Sequence, residues 1–354
     1  MFRSKLLVFA LALALLVSAF AGAGRADAAA GRLSVSISAD KTAFSAGESA
    51  LVSVTVRNDS KVPAKILKWF TPFEDVEESL FVISRDGKTV PYIGAHYKRS
   101  AATGADYLTL APGESFTRVV DLGSYYDLSA SGRYEIQFSV SSWFLRSEKG
   151  LLAKRDTTLF SNSLSLNIEG RPNPVREIVP DAVSGTTSFN RCTASQQSNL
   201  NSARSNASTY AANALAYLNA GTQGPRYTTW FGVFNSTRYS TVQSHFASIS
   251  NAMDTAPVTF DCSCKKKNVY AYVYSNQPYT IYLCGVFWTA PMTGTDSKAG
   301  TLIHEMSHFT VVAGTDDWVY GQSGAQNLAI TDPAKAVDNA DSHEYFAENT
   351  PAQP

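Results

Sequence analysis

Charge imbalance is absent from this chain: its 354 residues carry 30 Lys and Arg against 30 Asp and Glu, a formal net charge of zero. No broad electrostatic partner such as nucleic acid is implied. The one basic run, Lys265-Lys266-Lys267, reads as a solvated turn. Long apolar runs are absent after Phe20, so no later stretch can span a membrane. Cysteine is scarce and confined to the C-terminal half, at Cys192, Cys262, Cys264 and Cys284. Residues 31–168 contain no cysteine and only His96 among the histidines, so they carry no catalytic cluster. Internal repeats and low-complexity tracts are also missing. No lysine occurs between Lys154 and Lys265.

The chain opens with a basic segment, Met1-Phe2-Arg3-Ser4-Lys5, followed by the apolar run Leu6 to Phe20 and the small-x-small pattern Ala26-Asp27-Ala28. Residues 1–28 therefore read as a secretory signal peptide. The run is short for a transmembrane helix, which disfavours the alternative of an uncleaved anchor. No lipid-attachment cysteine follows it. An even number of cysteines in an exported chain suggests two disulfides, with three pairings open. Cys262 and Cys264 are too close to pair comfortably with each other. A cysteine zinc cluster is the alternative, although the single-residue gap suits thiolate ligands poorly.

Two domains are expected. Leu33–Ile37, Leu51–Val56 and Tyr134–Val140 alternate apolar and polar residues. Turn sequences separate them, among them Arg57-Asn58-Asp59-Ser60, Arg85-Asp86-Gly87-Lys88 and Ala111-Pro112-Gly113-Glu114. This predicts an all-β immunoglobulin-like sandwich over residues 29–170. Pro172, Pro174 and Pro180 mark a linker, 171–184. Residues 185–354 read as α+β and mainly helical, beginning with an alanine-rich helix over Ser195–Leu218 and including strands at Val269–Tyr274 and Thr280–Leu283.

The densest chemistry lies at His304-Glu305-Met306-Ser307-His308. Ala299, Leu302, Ile303, Met306 and Phe309 repeat at helical spacing, with Thr295, Asp296 or Ser297 as N-cap and Gly314 as a stop. On a helix, residues four apart share a face, so His304 and His308 can hold one metal ion with Glu305 beside it as general base. Zinc with three protein ligands and an open position activates a water for attack on a peptide carbonyl. A bare pair of histidines also occurs for packing, so the residues downstream matter. Val311 and Gly314 stand where a metzincin needs Gly and His. Glu344 and Glu348 lie too far along for a thermolysin-like third ligand. Asp317, just past the helix end, can fold back onto the metal.

His304-Glu305-x-x-His308 with Gly314-Thr315-x-Asp317-x-x-Tyr320-Gly321 resembles the signature of the aspzincins, the deuterolysin family of zinc metallopeptidases, and within it the peptidyl-Lys metalloendopeptidases. The likeness runs over about 185–354, including Arg226–Gly232 and Asn339–Phe346. The resemblance implies one zinc ion per chain on His304, His308 and Asp317. It implies Glu305 as base and Tyr320 as the hydroxyl that steadies the oxyanion. Asp316, at a variable position, reads as a surface acid or a loop brace. The resemblance also places Asp341 and Glu344 in the pocket for the side chain after the scissile bond. A buried lysine ammonium needs such carboxylates, and residues three apart on a helix point the same way. The plain alternative is that both are ordinary residues of an amphipathic helix, with His343 on its surface. Finally, the resemblance favours the pairings Cys192–Cys262 and Cys264–Cys284.

The expected activity is that of a secreted zinc metalloendopeptidase acting on proteins or peptides at the amino side of lysine, a monomer by default. The N-terminal domain reads either as an accessory binding module that stays attached or as a propeptide. The stretches Trp69-Phe70-Thr71-Pro72 and Tyr107-Leu108-x-Leu110-x-Pro112-Gly113 resemble the β-rich pro-region of the family, so the domain is expected to inhibit its own enzyme intramolecularly. A pro-region lysine such as Lys149 or Lys154 would then occupy the acidic pocket. A lysine-directed enzyme cannot trim itself inside the lysine-free linker: self-cleavage would fall at Lys149 or Lys154 and leave a long extension, or another protease, reading Arg171 or Arg176, makes the final cut. Two alternatives stay open: a broader-specificity secreted aspzincin, and a non-catalytic secreted binding protein.

Overall fold

The computed structural model describes residues 33–141, 145–147, 150–151, 158–171 and 185–354. The expected signal peptide, linker residues 172–184, and Lys149 and Lys154 lie outside the described residues. Among the described residues no helix is long and apolar enough to cross a membrane.

The N-terminal half is all-β. Leu33–Ser38 pairs antiparallel with Leu51–Asn58, which pairs in turn with Ser115–Asp121. Gly132–Ser141 lies between Leu164–Ile168 and Phe81–Arg85, again antiparallel. A further sheet joins Ala64–Leu67 to Tyr107–Leu110. Alternation makes these strands. Val52, Val54 and Val56 are buried, as are Tyr134, Ile136 and Phe138. Withdrawing each such side chain from water contributes roughly 1.5–3 kcal/mol, and a one-residue slip would turn the whole row outward. At the expected turn Arg85–Lys88, Asp86 and Gly87 take φ of 50° and 76°. That is the left-handed pair a two-residue hairpin loop needs.

The C-terminal half is mainly helical. Its helices are α1 (Ala194–Asn219), α2 (Pro225–Phe231), α3 (Ser236–Thr255), α4 (Gly285–Thr289), α5 (Lys298–His308), α6 (Gln322–Thr331), α7 (Pro333–Val337) and α8 (Ala340–Glu348). Thr193 and Gln196 form a capping box that starts α1. The apolar faces of α1, α3, α5 and α8 meet in one core around Ala207, Phe246, Leu302 and Phe346. Disulfides join Cys192 to Cys262 and Cys264 to Cys284 across 70 and 20 residues. In a chain-entropy picture such links are worth about 4 and 3 kcal/mol.

The sheet beside this core draws on both halves of the chain. Its order is Thr187–Asn190, Val258–Asp261, Thr280–Leu283, Val269–Tyr274 and then Ala95–Arg99. The last strand comes from the N-terminal half and pairs antiparallel with Val269–Tyr274. One strand of the N-terminal half therefore completes the sheet of the C-terminal half. In return, Tyr320 of the C-terminal half packs into the N-terminal core. The two halves share a sheet edge and a hydrophobic core at the place where the candidate chemistry lies.

Candidate active site

Helix α5 carries the histidines. Ser297 is its N-cap, with Oγ accepting from the Gly300 amide at 2.9 Å. Glu348 accepts from the Asp296 and Ser297 amides at 3.1 and 2.8 Å. Every residue of α5 is buried, so a polar side chain left there without a hydrogen-bond partner marks a place where another group belongs. The helix stops at His308, earlier than Gly314 suggested, because Phe309 turns to extended backbone (ψ 127°) and buries its ring. Gly314, at φ 63°, serves the following turn.

That turn returns the chain to the helix. Ser307 and Thr315 share a hydroxyl hydrogen bond of 2.6 Å. The Asn339 side-chain oxygen, just before α8, accepts from the Trp318 and Val319 amides at 3.0 and 3.1 Å. Asp316 is a loop brace: its amide donates to Asp338 O at 2.7 Å, and its carboxylate accepts from the Asp317 amide at 2.9 Å. Fixed at both ends, the loop aims Asp317 at the two histidines.

His304 Nε2 and His308 Nε2 stand 3.2 Å apart, and Asp317 oxygens lie 3.2 and 3.3 Å from them. The other ring nitrogens are engaged. His308 Nδ1 donates to Thr315 O at 2.8 Å, and His304 Nδ1 lies 2.9 Å from Asp341 Oδ1. Against the effect of burial, Asp317 raises the proton affinity of both rings. In the unprotonated form that metal binding requires, two lone pairs and a carboxylate converge in a fully buried space, an arrangement a metal cation would satisfy in place of those protons. Ligands about 2.0–2.1 Å from a tetrahedral zinc are about 3.3 Å from one another. The donor set fits zinc, with carbonyl and carboxylate acceptors behind the imidazoles as metal-binding histidines usually have. Burial would raise the Asp317 pKa, but His308 and His304 outweigh it and hold the carboxyl well below the usual range. Glu305 is buried beside them with both carboxylate oxygens free of hydrogen bonds. Burial lifts its pKa to about 8 despite the opposing pull of His304 and His308.

Asp341 and Glu344 lie on one face of α8, fully buried, and what they hold is a lysine. Lys98 Nζ, on the strand Ala95–Arg99, is 2.9 Å from Asp341 Oδ1, 2.7 Å from Glu344 Oε2 and 3.4 Å from Asp296 Oδ1. The rings of Tyr345 and Tyr270 flank the ammonium at 5.3 and 5.5 Å. Burial alone would strip Lys98 of its proton, but Asp341 and Glu344 prevail and raise its pKa well above the usual value. His304, Asp341 and Glu344 also form a cluster of metal-ligand type. Its cation is the Lys98 ammonium. The expected lysines, Lys149 and Lys154, lie outside the described residues.

Two more groups from the N-terminal half enter the site. Tyr320 donates its hydroxyl to Glu78 Oε1 at 2.7 Å, both side chains being buried. His96 stacks on His308, with ring centroids 4.6 Å apart at 25°. Burial lowers its pKa to about 3, so the ring is neutral. Glu78, Asp317, Phe70 and Trp318 line a cavity of about 220 Å³ between the halves.

His343 corrects its expected surface position. It is buried, its Nδ1 donates to Asn339 O at 3.0 Å, and its Nε2 lies 3.0 Å from His245 Nδ1. Glu78, His96, Lys98, Asp296, Tyr270 and Tyr345 were not singled out for this site. No local signal marks them, because each matters only through a contact distant in sequence.

Comparison with known proteins points to one family. The family described as lysine-specific metallo-endopeptidase, the aspzincins, matches residues 216–348. An extracellular protease of Aeromonas hydrophila is 44% identical over 309 residues, covering 85% of this chain and 88% of that protein. A peptidyl-Lys metalloendopeptidase of Grifola frondosa is 40% identical over 291 residues, 78% of this chain and 80% of that one. The solved structure of a zinc peptidase from the same fungus covers 46% of this chain and 100% of its own, at 53% identity and a TM-score of 0.45. The HExxH helix, the returning aspartate and these relatives lead to one assignment: the chain belongs to the aspzincin family of metallo-endopeptidases.

Proposed function

We propose that this chain is a secreted zinc endopeptidase, made as a proenzyme, that cuts peptide bonds on the amino side of lysine. The observation that carries the proposal is the clasp of Lys98 by Asp341 and Glu344, with the same Asp341 oxygen 2.9 Å from His304 Nδ1. A pocket that desolvates an ammonium completely and compensates it with carboxylates favours lysine over neutral side chains. Its distance from the metal-site histidine is one side chain. The names of the relatives from Pleurotus, Grifola and Armillaria, peptidyl-Lys metalloendopeptidases, agree with it.

In this reading His304, His308 and Asp317 hold one zinc ion, which when bound supplies the Lewis acidity that activates water near neutral pH. Glu305 takes the proton of the attacking water and returns it to the leaving amine. Its raised proton affinity suits that exchange. Tyr320 donates its hydroxyl to the developing oxyanion, a contribution of a few kcal/mol when such a donor is fixed in place beforehand. Asp341 works twice, orienting His304 through Nδ1 and receiving the substrate ammonium.

Latency follows from the same contacts. Lys98 fills the lysine pocket, His96 covers one face of His308, and Glu78 keeps the Tyr320 hydroxyl from a substrate. Lys98, in place of Lys149 or Lys154, is the pseudo-substrate. The test is a digest of a denatured protein by the matured enzyme, with and without a chelator, followed by sequencing of the new N-termini. Lysine should dominate those ends and vanish with the chelator. Scattered ends would leave a metallopeptidase of broad specificity, and cleavage unaffected by chelation would remove the zinc mechanism.

A further inference from the structure

We infer that the matured enzyme also reads the residue immediately before the lysine, and that Tyr272 forms an aromatic-binding subsite for it. The inference rests on the lysine-directed reading above.

The strand Ala95–Arg99 lies in the cleft as an added antiparallel strand on Val269–Tyr274. An extended peptide captured at a sheet edge takes such a position, with main-chain pairing for affinity and alternate side chains for specificity. If cleavage falls before lysine, Lys98 marks the position after the scissile bond and Tyr97 the position before it. Strand alternation sends consecutive side chains to opposite faces. Lys98 enters the acidic pocket, so Tyr97 must face the other way, and its register partner is Tyr272. The two rings are 5.2 Å apart at 42°. Lys266 Nζ stands 4.8 Å from the centre of the Tyr97 ring.

The receiving surface belongs entirely to the C-terminal half. Tyr272 is stacked on Tyr282, with centroids 4.5 Å apart and planes 2° from parallel, and meets the edge of Tyr274 at 5.8 Å. Tyr274 in turn packs edge-on against Tyr282 at 6.0 Å. These neighbours hold Tyr272 in place, so an arriving ring meets a fixed surface at little entropic cost. Removal of the pro-strand uncovers this platform next to the lysine pocket, on the side of the residue that precedes lysine.

The experiment uses the zinc-loaded enzyme matured from the full chain and a series of peptides Ala-Ala-X-Lys-Ala-Ala in which X is Ala, Leu, Tyr or Phe. The readout is kcat/KM for the cut before lysine. Tyr and Phe should exceed Ala by about three- to tenfold, the range of a single aromatic pair. That ratio should fall close to one in Tyr272→Ala and Tyr272→Leu and survive in Tyr272→Phe. Ratios within each enzyme form cancel differences in active fraction. A flat series in the unmutated enzyme overturns the inference without any variant, and so does an aromatic preference that persists in Tyr272→Ala. Cuts away from lysine would instead sink the lysine-directed reading, so the two failures are distinguishable.

Discussion

Replacing Lys98 by alanine in the uncut precursor should release activity without proteolytic processing. In the full chain the ammonium is fully buried between Asp341 and Glu344, at 2.9 and 2.7 Å. Removing one partner of a buried ion cluster commonly costs about 3–5 kcal/mol, because the remaining charge is left uncompensated. The lower end applies here. Burial already raises the Glu344 pKa, so Glu344 can take up a proton when the lysine is gone, and only Asp341 stays strongly charged. About 3 kcal/mol corresponds to a shift on the order of 100-fold in the population of undocked precursor, at 1.36 kcal/mol per tenfold. The assay is the initial rate on a fluorogenic peptide containing one lysine, with a gel at the same time points to show the chain uncut. Lys98→Ala should turn over on the order of 100-fold faster than the unmutated precursor, and Lys98→Arg should fall between them, since the charge is kept but the shape is not. If Lys98→Ala stays as silent as the unmutated precursor, the lysine clasp is not what closes the site.

Metal content should separate ligands from base. Matured protein should hold one zinc per chain by elemental analysis, and Asp317→Ala should lose most of it. Glu305→Ala should keep the zinc while losing about 10²–10⁴-fold in kcat. Within the pocket, Glu344→Gln should depress kcat/KM at lysine with little change in zinc affinity. Asp341→Asn should do both, weakening zinc by about 10–100-fold through its contact with His304 Nδ1, as read by competition with a chelating dye. Acid should destabilise the C-terminal half through His245 and His343. Burial lowers their pKa to about 4 and about 3. Below pH ~6.5 the unfolded chain binds protons that the folded one refuses, so stability present above that pH is lost as pH falls toward 4. Each histidine adds a slope of at most about 1.4 kcal/mol per pH unit. Denaturant melts of His245→Gln between pH 4 and 7 should show a shallower slope, and an unchanged slope would remove the pair from the account.

Much of the candidate metal site was legible because its chemistry is compressed. His304, Glu305 and His308 lie within two turns of one helix, and Asp317 follows within a single loop, so local geometry alone brings them together. The pocket acids were half legible. Their spacing on α8 follows from helical periodicity, but ordinary amphipathic helices share it, and only the approach of Lys98 distinguishes the two. The strand Ala95–Arg99 gave no warning. Inward-facing His96 and Lys98 make its alternation read as solvent-exposed, since the groups that compensate them lie on α5 and α8, more than two hundred residues away. His343 was misjudged for a related reason, as its partner His245 belongs to α3.

By itself, then, the sequence determined that His304, Glu305, His308 and Asp317 come together and that the N-terminal half is built of alternating strands, since each depends on a helix period, a strand period or one short loop. Tertiary structure alone decided that the N-terminal half lends a strand to the neighbouring sheet, which lysine fills the acidic pocket, and that Glu78 holds Tyr320. Those contacts join backbone at a sheet edge, an ammonium with carboxylates and a hydroxyl with a carboxyl, and complementarity of that kind exists only once distant segments share one interior.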